Sequence, residues 1–146
     1  MNEQTEQTLY FVSCVGQKRN RKSRARYLYT STWFQKAREF VEQTRSPWFI
    51  LSAMHGIVSP EDEIEPYEKT LNTMPIIERR EWASNVLQQF DGRTLTPKTV
   101  VFLAGQRYRE GVADVLAQRG IAIEVPMEGL RIGEQLGWLS RNAPPG

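Results

Sequence analysis

The chain has little of what metal and disulfide chemistry requires. Its 146 residues include one cysteine, Cys14, and one histidine, His55. A lone cysteine excludes an internal disulfide, and one Cys with one His supplies too few ligands for a typical zinc site. Any catalysis is therefore expected to be metal-free or to use oxygen ligands, and we expect no cofactor.

Long apolar runs are also absent. No stretch approaches the roughly 18 apolar residues that cross a bilayer. The first eight residues, MNEQTEQT, lack the charged and then apolar pattern of a secretory signal. We therefore expect a cytoplasmic protein with no membrane partner.

Two common nucleotide-binding motifs are missing. The chain contains neither the GxxxxGK[ST] motif of phosphate-binding loops nor the GxGxxG fingerprint of dinucleotide-binding folds. Binding of a nucleoside triphosphate or a nicotinamide cofactor is therefore not favoured.

Charges are present but unevenly placed. Residues 18–26 (KRNRKSRAR) hold six cations, whereas residues 61–68 (EDEIEPYE) hold five carboxylates. A basic block of this density favours contact with a polyanion, and nucleic acid is the first candidate. The alternative is a solvated loop without a partner.

Apolar patterns of strand type and helix type alternate along the chain. They predict strands over residues 9–15, 48–53, 99–104 and 121–125, and helices over residues 32–43, 75–92 and 132–139. A further helix is predicted to follow the loop of residues 105–111 (GQRYREG) and to end at about residue 118. In the second helix, Ile76, Trp82 and Val86 are expected on the buried side. This alternation predicts an α/β class: one three-layer α/β/α domain over residues 1–146, with a four-stranded parallel sheet and frayed ends at 1–7 and 141–146.

The loops after the four predicted strands all carry polar or charged groups. Right-handed crossovers bring the carboxyl ends of parallel strands to one edge, where ligands bind in open α/β sheets. The sequence therefore predicts a site at this edge. The residue types suited to recognition or proton transfer in these loops are Gln17, Lys18, Ser52, His55, Asp62, Glu65, Tyr67, Gln106, Arg107, Tyr108, Arg109 and Glu128. The alternative for residues 56–73 is an acidic surface loop that its prolines stiffen.

Cys14 and His55 form an alternative pair of nucleophile and base, since both lie at the ends of neighbouring predicted strands. A cysteine inside the apolar run FVSCV is more typical of a small buried residue. The thiol chemistry is therefore not favoured.

Four blocks of the chain resemble a family of small bacterial and phage proteins of unknown function: residues 25–37, 48–72, 100–110 and 125–139. The central block is also similar to the YaaA-type peroxide-stress proteins, which bind DNA. The segment of that family begins with a Ser and an aromatic-Gly pair, which correspond here to Ser52 and to His55 with Gly56. A Pro, an Asp and an Ile-x-Pro-Tyr follow, and these correspond to Pro60, Asp62 and residues 64–67. His55 replaces the aromatic residue, and the helix-hairpin-helix segment of YaaA-type proteins is not found in this sequence.

The order of strands and loops is similar, more distantly, to the uracil-DNA glycosylase superfamily. That superfamily has an α/β/α fold with four parallel strands and an active site at their carboxyl ends. Gly16 and Gln17 match its first motif, but the Asp-Pro-Tyr that often follows, and the His-Pro-Ser after the last strand, are missing here. The resemblance implies a DNA glycosylase that excises a modified base from DNA, such as phage DNA, in antiphage defence or base repair.

Under this hypothesis, Asp62 or Glu65 orients water and offsets the positive charge that develops on the sugar. Asp62 ranks above Glu65 because the YaaA resemblance retains it, and Glu128 is the second-choice carboxylate. His55 or Gln17 contacts the departing base. Ser52, Tyr67, Gln106 and Tyr108 are further candidates for base contact. The expected contacts to the DNA backbone come from seven cations: Lys18, Arg19, Arg21, Lys22, Arg24, Arg107 and Arg109. The alternatives are a non-catalytic DNA-binding stress protein of YaaA type, and a nucleobase transferase that acts on nucleosides or tRNA.

Overall fold

A five-stranded sheet forms the centre of the structure. The computed structural model describes residues 7–13 and 16–142. The sheet has the order β4-β3-β1-β6-β7. Its strands are β1 (Thr8–Ser13), β3 (Trp48–Ser52), β4 (Gly56–Val58), β6 (Thr99–Leu103) and β7 (Ala122–Glu124). Two further short strands, β2 (Ser23–Arg24) and β5 (Glu63–Ile64), form a separate antiparallel pair.

The α/β class is confirmed, but the predicted sheet of four strands is corrected to five. Strand β1 pairs in parallel with β3 and β6, and β6 pairs in parallel with β7. Strand β4 turns back directly after β3 and pairs with it in antiparallel fashion, from Ser52 with Gly56 to Ile50 with Val58. This short return lies inside the segment that the sequence patterns predict as a loop.

Five helices accompany the sheet in the described residues. They are α1 (Ala25–Leu28), α2 (Thr32–Gln43), α3 (Ile76–Gly92), α4 (Gln106–Gln118) and α5 (Ile132–Arg141), together with a single 3₁₀ turn at Leu71–Thr73. Ser31 caps α2, because its Oγ accepts a hydrogen bond from the backbone N–H of Phe34 at 3.2 Å. The predicted burial of Ile76 is wrong: it lies in the first turn of α3, ahead of the helix face that packs on the sheet, and its side chain is 51% exposed.

The helices pack in two pairs. Helix α2 contacts α5, and α3 contacts α4. The connection from β1 to β3 and the connection from β6 to β7 run in opposite directions across the sheet. Right-handed crossovers therefore place α2 and α4 on opposite faces. The core between them includes the fully buried rings of Phe11, Phe34 and Phe102.

This topology creates a crevice between two central strands. Strands β1 and β6 are neighbours, but the chain leaves β1 towards one face and leaves β6 towards the other. Such a reversal of direction is the position where open α/β sheets bind ligands, outside the carboxyl ends of the strands. Ser13 ends β1 and Gly105 follows β6 at this position. Cys14, the alternative nucleophile, lies outside the described residues.

Candidate functional site

A cleft of about 600 Å³ opens at the reversal between β1 and β6, and we call it the inner cleft. Because its wall includes Ser13 and Gly105, the cleft lies directly at the carboxyl ends of these two strands. The side chains and backbone that line it are Ser13, Gly16, Lys18, Trp33, Glu68, Lys69, Thr70, Asn72, Thr73, Gly105, Tyr108, Ile132 and Gln135.

Hydrogen bonds fix two aromatic side chains in the wall of the inner cleft. Trp33 Nε1 donates to Gln135 Oε1 at 2.8 Å, and Gln135 Nε2 donates to the carbonyl of Leu130 at 2.9 Å. On another side, the Tyr108 hydroxyl accepts from the backbone N–H of Leu71 at 3.3 Å. Both rings are more than nine-tenths buried, so the cleft has rigid aromatic surfaces.

A second cavity of about 430 Å³ adjoins the first, and we call it the outer cleft. It shares Gly16, Lys18 and Glu68 with the inner cleft. Its lining is more polar: Gly16, Gln17, Lys18, Arg19, Asn20, Pro66, Tyr67 and Glu68. Lys18 and Glu68 therefore lie where the two cavities meet.

Lys18 is held in place through both its backbone and its side chain. The backbone N–H of Thr30 donates to the carbonyl of Gln17 at 2.8 Å, and that of Arg19 donates to the carbonyl of Leu28 at 2.8 Å. Lys18 Nζ lies over two phenol rings, and Lys18 belongs to none of the ion pairs among the described residues. The ammonium group is thus positioned at the cleft without a carboxylate partner.

The two phenol rings are anchored by buried hydroxyl groups. Ser52 Oγ donates to the Tyr67 hydroxyl at 2.7 Å, and the Tyr67 and Tyr29 hydroxyls are also 2.7 Å apart. Ser52 Oγ in turn accepts backbone N–H groups from Met54 and His55 at 3.2 and 3.1 Å. Ser52 therefore supports the cleft from within the core, where it is fully buried, and does not face a ligand.

The basic and acidic segments lie side by side. Strand β2 of the basic segment pairs with β5 of the acidic segment, and the backbone N–H of Ala25 donates to the carbonyl of Asp62 at 2.7 Å. Glu61 forms ion pairs with Arg24 and Arg26. These contacts neutralise part of the basic block, whereas Lys18, Arg19, Arg21 and Lys22 take part in no ion pair among the described residues.

The structure places the predicted catalytic residues around the two clefts, with none of them in the wall of either. Asp62 Oδ2 accepts the backbone N–H of Ser59 at 3.1 Å and closes a turn. Glu65 is exposed. His55 lies in a separate groove beside Met54 and Trp82, with its ring edge-on to Tyr67 at 5.5 Å between centroids. These residues are not brought together.

Glu128 faces a neighbouring side cavity of about 250 Å³. This cavity shares Gly105 and Gln135 with the inner cleft and also contains Gln106 and Arg109. Glu128 forms an ion pair with Arg109 at 3.3 Å, and Arg109 Nε donates to the carbonyl of Ala104 at 3.3 Å. This arrangement ties the loop after β7 to the end of β6.

The other predicted contact residues fall into three groups. Gln17, Lys18, Arg19 and Tyr67 line the outer cleft, and Tyr108 lines the inner cleft. Arg107 donates to the carbonyl of Asn72 at 3.1 Å and lines a groove between α3 and α4. Arg21, Lys22 and Arg24 are exposed and line neither cleft.

Sequence reasoning missed several residues that line the inner cleft. Glu68, Lys69, Thr70 and Asn72 follow Tyr67 directly, so their position after the Ile-x-Pro-Tyr segment was a usable signal. Trp33 and Gln135 gave no such signal. They are 102 positions apart and meet only because α2 packs against α5.

The fold and these clefts define an α/β protein with two adjoining clefts at the carboxyl edge of a mostly parallel sheet. The chain belongs to the family described as "Family of unknown function (DUF6884)", which matches residues 9–141. No curated protein and no solved structure matches it significantly. Among the described residues, no helix is long and apolar enough to cross a membrane, and no group of three or more His, Cys, Asp or Glu side chains is placed to hold a metal ion.

Proposed function

We propose that this protein is a DNA glycosylase that excises a modified base. The observation that carries the proposal is the pair of joined clefts at the carboxyl edge of the sheet. The inner cleft holds neutral polar groups and aromatic edges together with Lys69, the outer cleft holds Arg19, and Lys18 lines both. A nucleotide needs both kinds of contact, since a base is recognised by stacking and hydrogen bonds and a phosphate by cations.

The inner cleft has the size and chemistry to take a base that has been turned out of the DNA duplex. Its volume of about 600 Å³ lies within the range of small-molecule pockets. Trp33 and Tyr108 present the small exposed parts of their rings to the cleft, while Asn72 and Gln135 carry amide groups suited to the hydrogen-bonding edge of a base.

The outer cleft supplies cations where the sugar-phosphate backbone would pass. Lys18 and Arg19 line it, and Arg21 and Lys22 extend the positive surface beyond it. None of these four side chains is neutralised by an ion pair within the described residues. Cations of this kind bind DNA with a strong dependence on salt, because phosphate contacts release counterions.

The test is a direct assay for base release. The purified protein is incubated with unmodified DNA, uracil-containing DNA and phage-type modified DNA, including glucosylated hydroxymethylcytosine. Released base is then identified by mass spectrometry, and abasic sites are detected as alkali-labile strand breaks. We expect release from a modified substrate. DNA binding without release from any substrate would overturn the enzymatic function and favour a non-catalytic DNA-binding protein.

A further inference from the structure

We infer that Glu68 is the catalytic carboxylate of this site. The inference rests on the proposed glycosylase function and names the residue that acts on the sugar. It also departs from the prediction made from the sequence, which ranks Asp62 first among the acidic residues of the same segment.

Glu68 lies at the junction of the two clefts. Among the described residues, Glu68 is the one carboxylate that lines the inner cleft, and it also lines the outer cleft. When the base occupies the inner cleft and the phosphate the outer cleft, the sugar lies at their junction. The bond between sugar and base is then beside Glu68, with Lys18 at the same junction.

Glu68 is not engaged elsewhere, whereas two other acidic residues of the same segment, Glu61 and Asp62, are engaged. Glu61 is paired with Arg24 and Arg26, and Asp62 accepts a hydrogen bond within its own turn. Glu68 belongs to none of the ion pairs among the described residues. Its carboxylate is thus available for water or substrate.

The backbone on either side of Glu68 is anchored by hydrogen bonds. The preceding residue, Tyr67, is 8% exposed and its hydroxyl bonds to Ser52 and Tyr29 at 2.7 Å. Two residues further on, the Thr70 side chain accepts the backbone N–H of Asn72 at 3.2 Å and begins the 3₁₀ turn. The backbone on both sides of Glu68 is therefore fixed, while its exposed side chain can turn towards the junction of the two clefts.

The chemistry requires water as the second reactant. The bond between C1′ of the deoxyribose and the base nitrogen breaks, and its electron pair leaves with the base. The sugar gains oxocarbenium character, which the negative charge of Glu68 stabilises. Water forms the new C1′–O bond and gives one proton to the Glu68 carboxylate, while the departing base takes a proton from solvent. Glu68 returns its proton to solvent, so that the products are an abasic sugar and the free protonated base.

The experiment compares wild type, Glu68→Gln and the matched control Glu63→Gln on a modified duplex that the wild type cleaves. Glu63 is an exposed carboxylate of the same segment that lines neither cleft. Single-turnover rates of base release and DNA affinity are measured for each protein. We expect Glu68→Gln to lower the rate by about 100-fold or more, as for loss of a catalytic acid–base group, while DNA affinity is retained. Glu63→Gln is expected to behave as wild type.

One further readout separates a catalytic role from a structural one. Glu68→Asp keeps the charge and should retain more activity than Glu68→Gln. If Glu68→Gln releases base at the wild-type rate, the inference about Glu68 is overturned while the glycosylase function stands. If the wild type releases no base from any substrate, the proposed function itself fails, and the role of Glu68 fails with it.

Discussion

The ammonium nitrogen of Lys18 lies 4.6 Å from the centre of the Tyr67 ring and also within 5.6 Å of the centre of the Tyr29 ring. The faces of aromatic rings attract cations, so both tyrosines hold the ammonium at the junction of the inner and outer clefts. The tyrosines are in turn fixed by Ser52 at the end of β3. The position of this charge is therefore set by the core of the protein.

Replacing Lys18 by Met is expected to weaken DNA binding roughly tenfold, as for loss of one charged contact, and to lower the salt dependence of binding by about one counterion. Methionine keeps the apolar stem over the rings and removes the charge. The matched control is Lys98→Met, because Lys98 is exposed just before β6 at the opposite edge of the sheet. Fluorescence anisotropy titrations at several salt concentrations measure both effects. If Lys18→Met and Lys98→Met lose DNA affinity equally, DNA binding does not depend on the junction of the inner and outer clefts.

Removing the hydroxyl of Tyr67 should affect stability more than DNA binding. Tyr67→Phe leaves the ring under Lys18 but leaves Ser52 and Tyr29 without their shared partner in the core. We expect the free energy of unfolding to fall by about 1–3 kcal/mol, as for other buried hydrogen bonds that lose one partner. Urea denaturation measures this change, and anisotropy should show DNA affinity retained. An unchanged unfolding free energy would mean that this network contributes nothing to the fold.

Asp62→Asn distinguishes the sequence-based hypothesis from the structural one. The sequence ranks Asp62 as the leading catalytic carboxylate, which predicts loss of base release. In the structure its side chain accepts the backbone N–H of Ser59, a contact that the asparagine oxygen can also make. The structure therefore predicts that Asp62→Asn keeps the wild-type rate in the single-turnover assay. A large loss of rate in this variant would favour Asp62 over Glu68.

Tyr10 of β1 gives a prediction for alkaline conditions. Burial, and then the nearby charge of Glu124, raise the pKa of Tyr10 above its ordinary value of 10.0. Because the folded protein favours the neutral phenol, the contribution of Tyr10 to stability is complete below pH 10.0 and is lost as the pH rises through the raised pKa. Tyr10→Phe should therefore lose stability less steeply than wild type above that pH in urea titrations. Glu124→Gln should lower the pKa of Tyr10. Phenolate absorbance is recorded against pH for the Glu124→Gln variant and for the double variant that also carries Tyr10→Phe, and the difference between the two curves gives the titration of Tyr10. If wild type and Tyr10→Phe lose stability equally steeply above pH 10.0, the raised pKa of Tyr10 is contradicted.

The longer elements were predictable from the sequence because each carries its own local signal. Helix α2 has a Ser31 cap and apolar residues at helical spacing, and β6 is a continuous apolar run. Strand β4 has no such signal, since it is three residues long and its hairpin is held by Gln89, 32 positions beyond Ile57. Gln89 accepts from the backbone N–H of Ile57 at 2.7 Å and donates to the carbonyl of His55 at 2.9 Å.

The edge of the sheet that carries the cleft was also predictable, because the carboxyl ends of parallel strands meet there. The direction of individual side chains was not. Pairing of β2 with β5 fixes the acidic segment, and the turn at its start directs Asp62 to Ser59, while Glu68 falls in the cleft wall. Contacts of this kind depend on strand pairing between distant segments, which a local pattern does not report.

The central claim is that a nucleotide of DNA occupies the inner cleft, and photo-cross-linking tests it most directly. A duplex with a photoreactive pyrimidine at the recognised position is irradiated with the protein, and the attached residues are identified by mass spectrometry. The account predicts cross-links to Trp33 or Tyr108 in the inner cleft, with their yield reduced in Lys18→Met and unchanged in Lys98→Met. Cross-links confined to the opposite edge of the sheet, around Lys98, would contradict it.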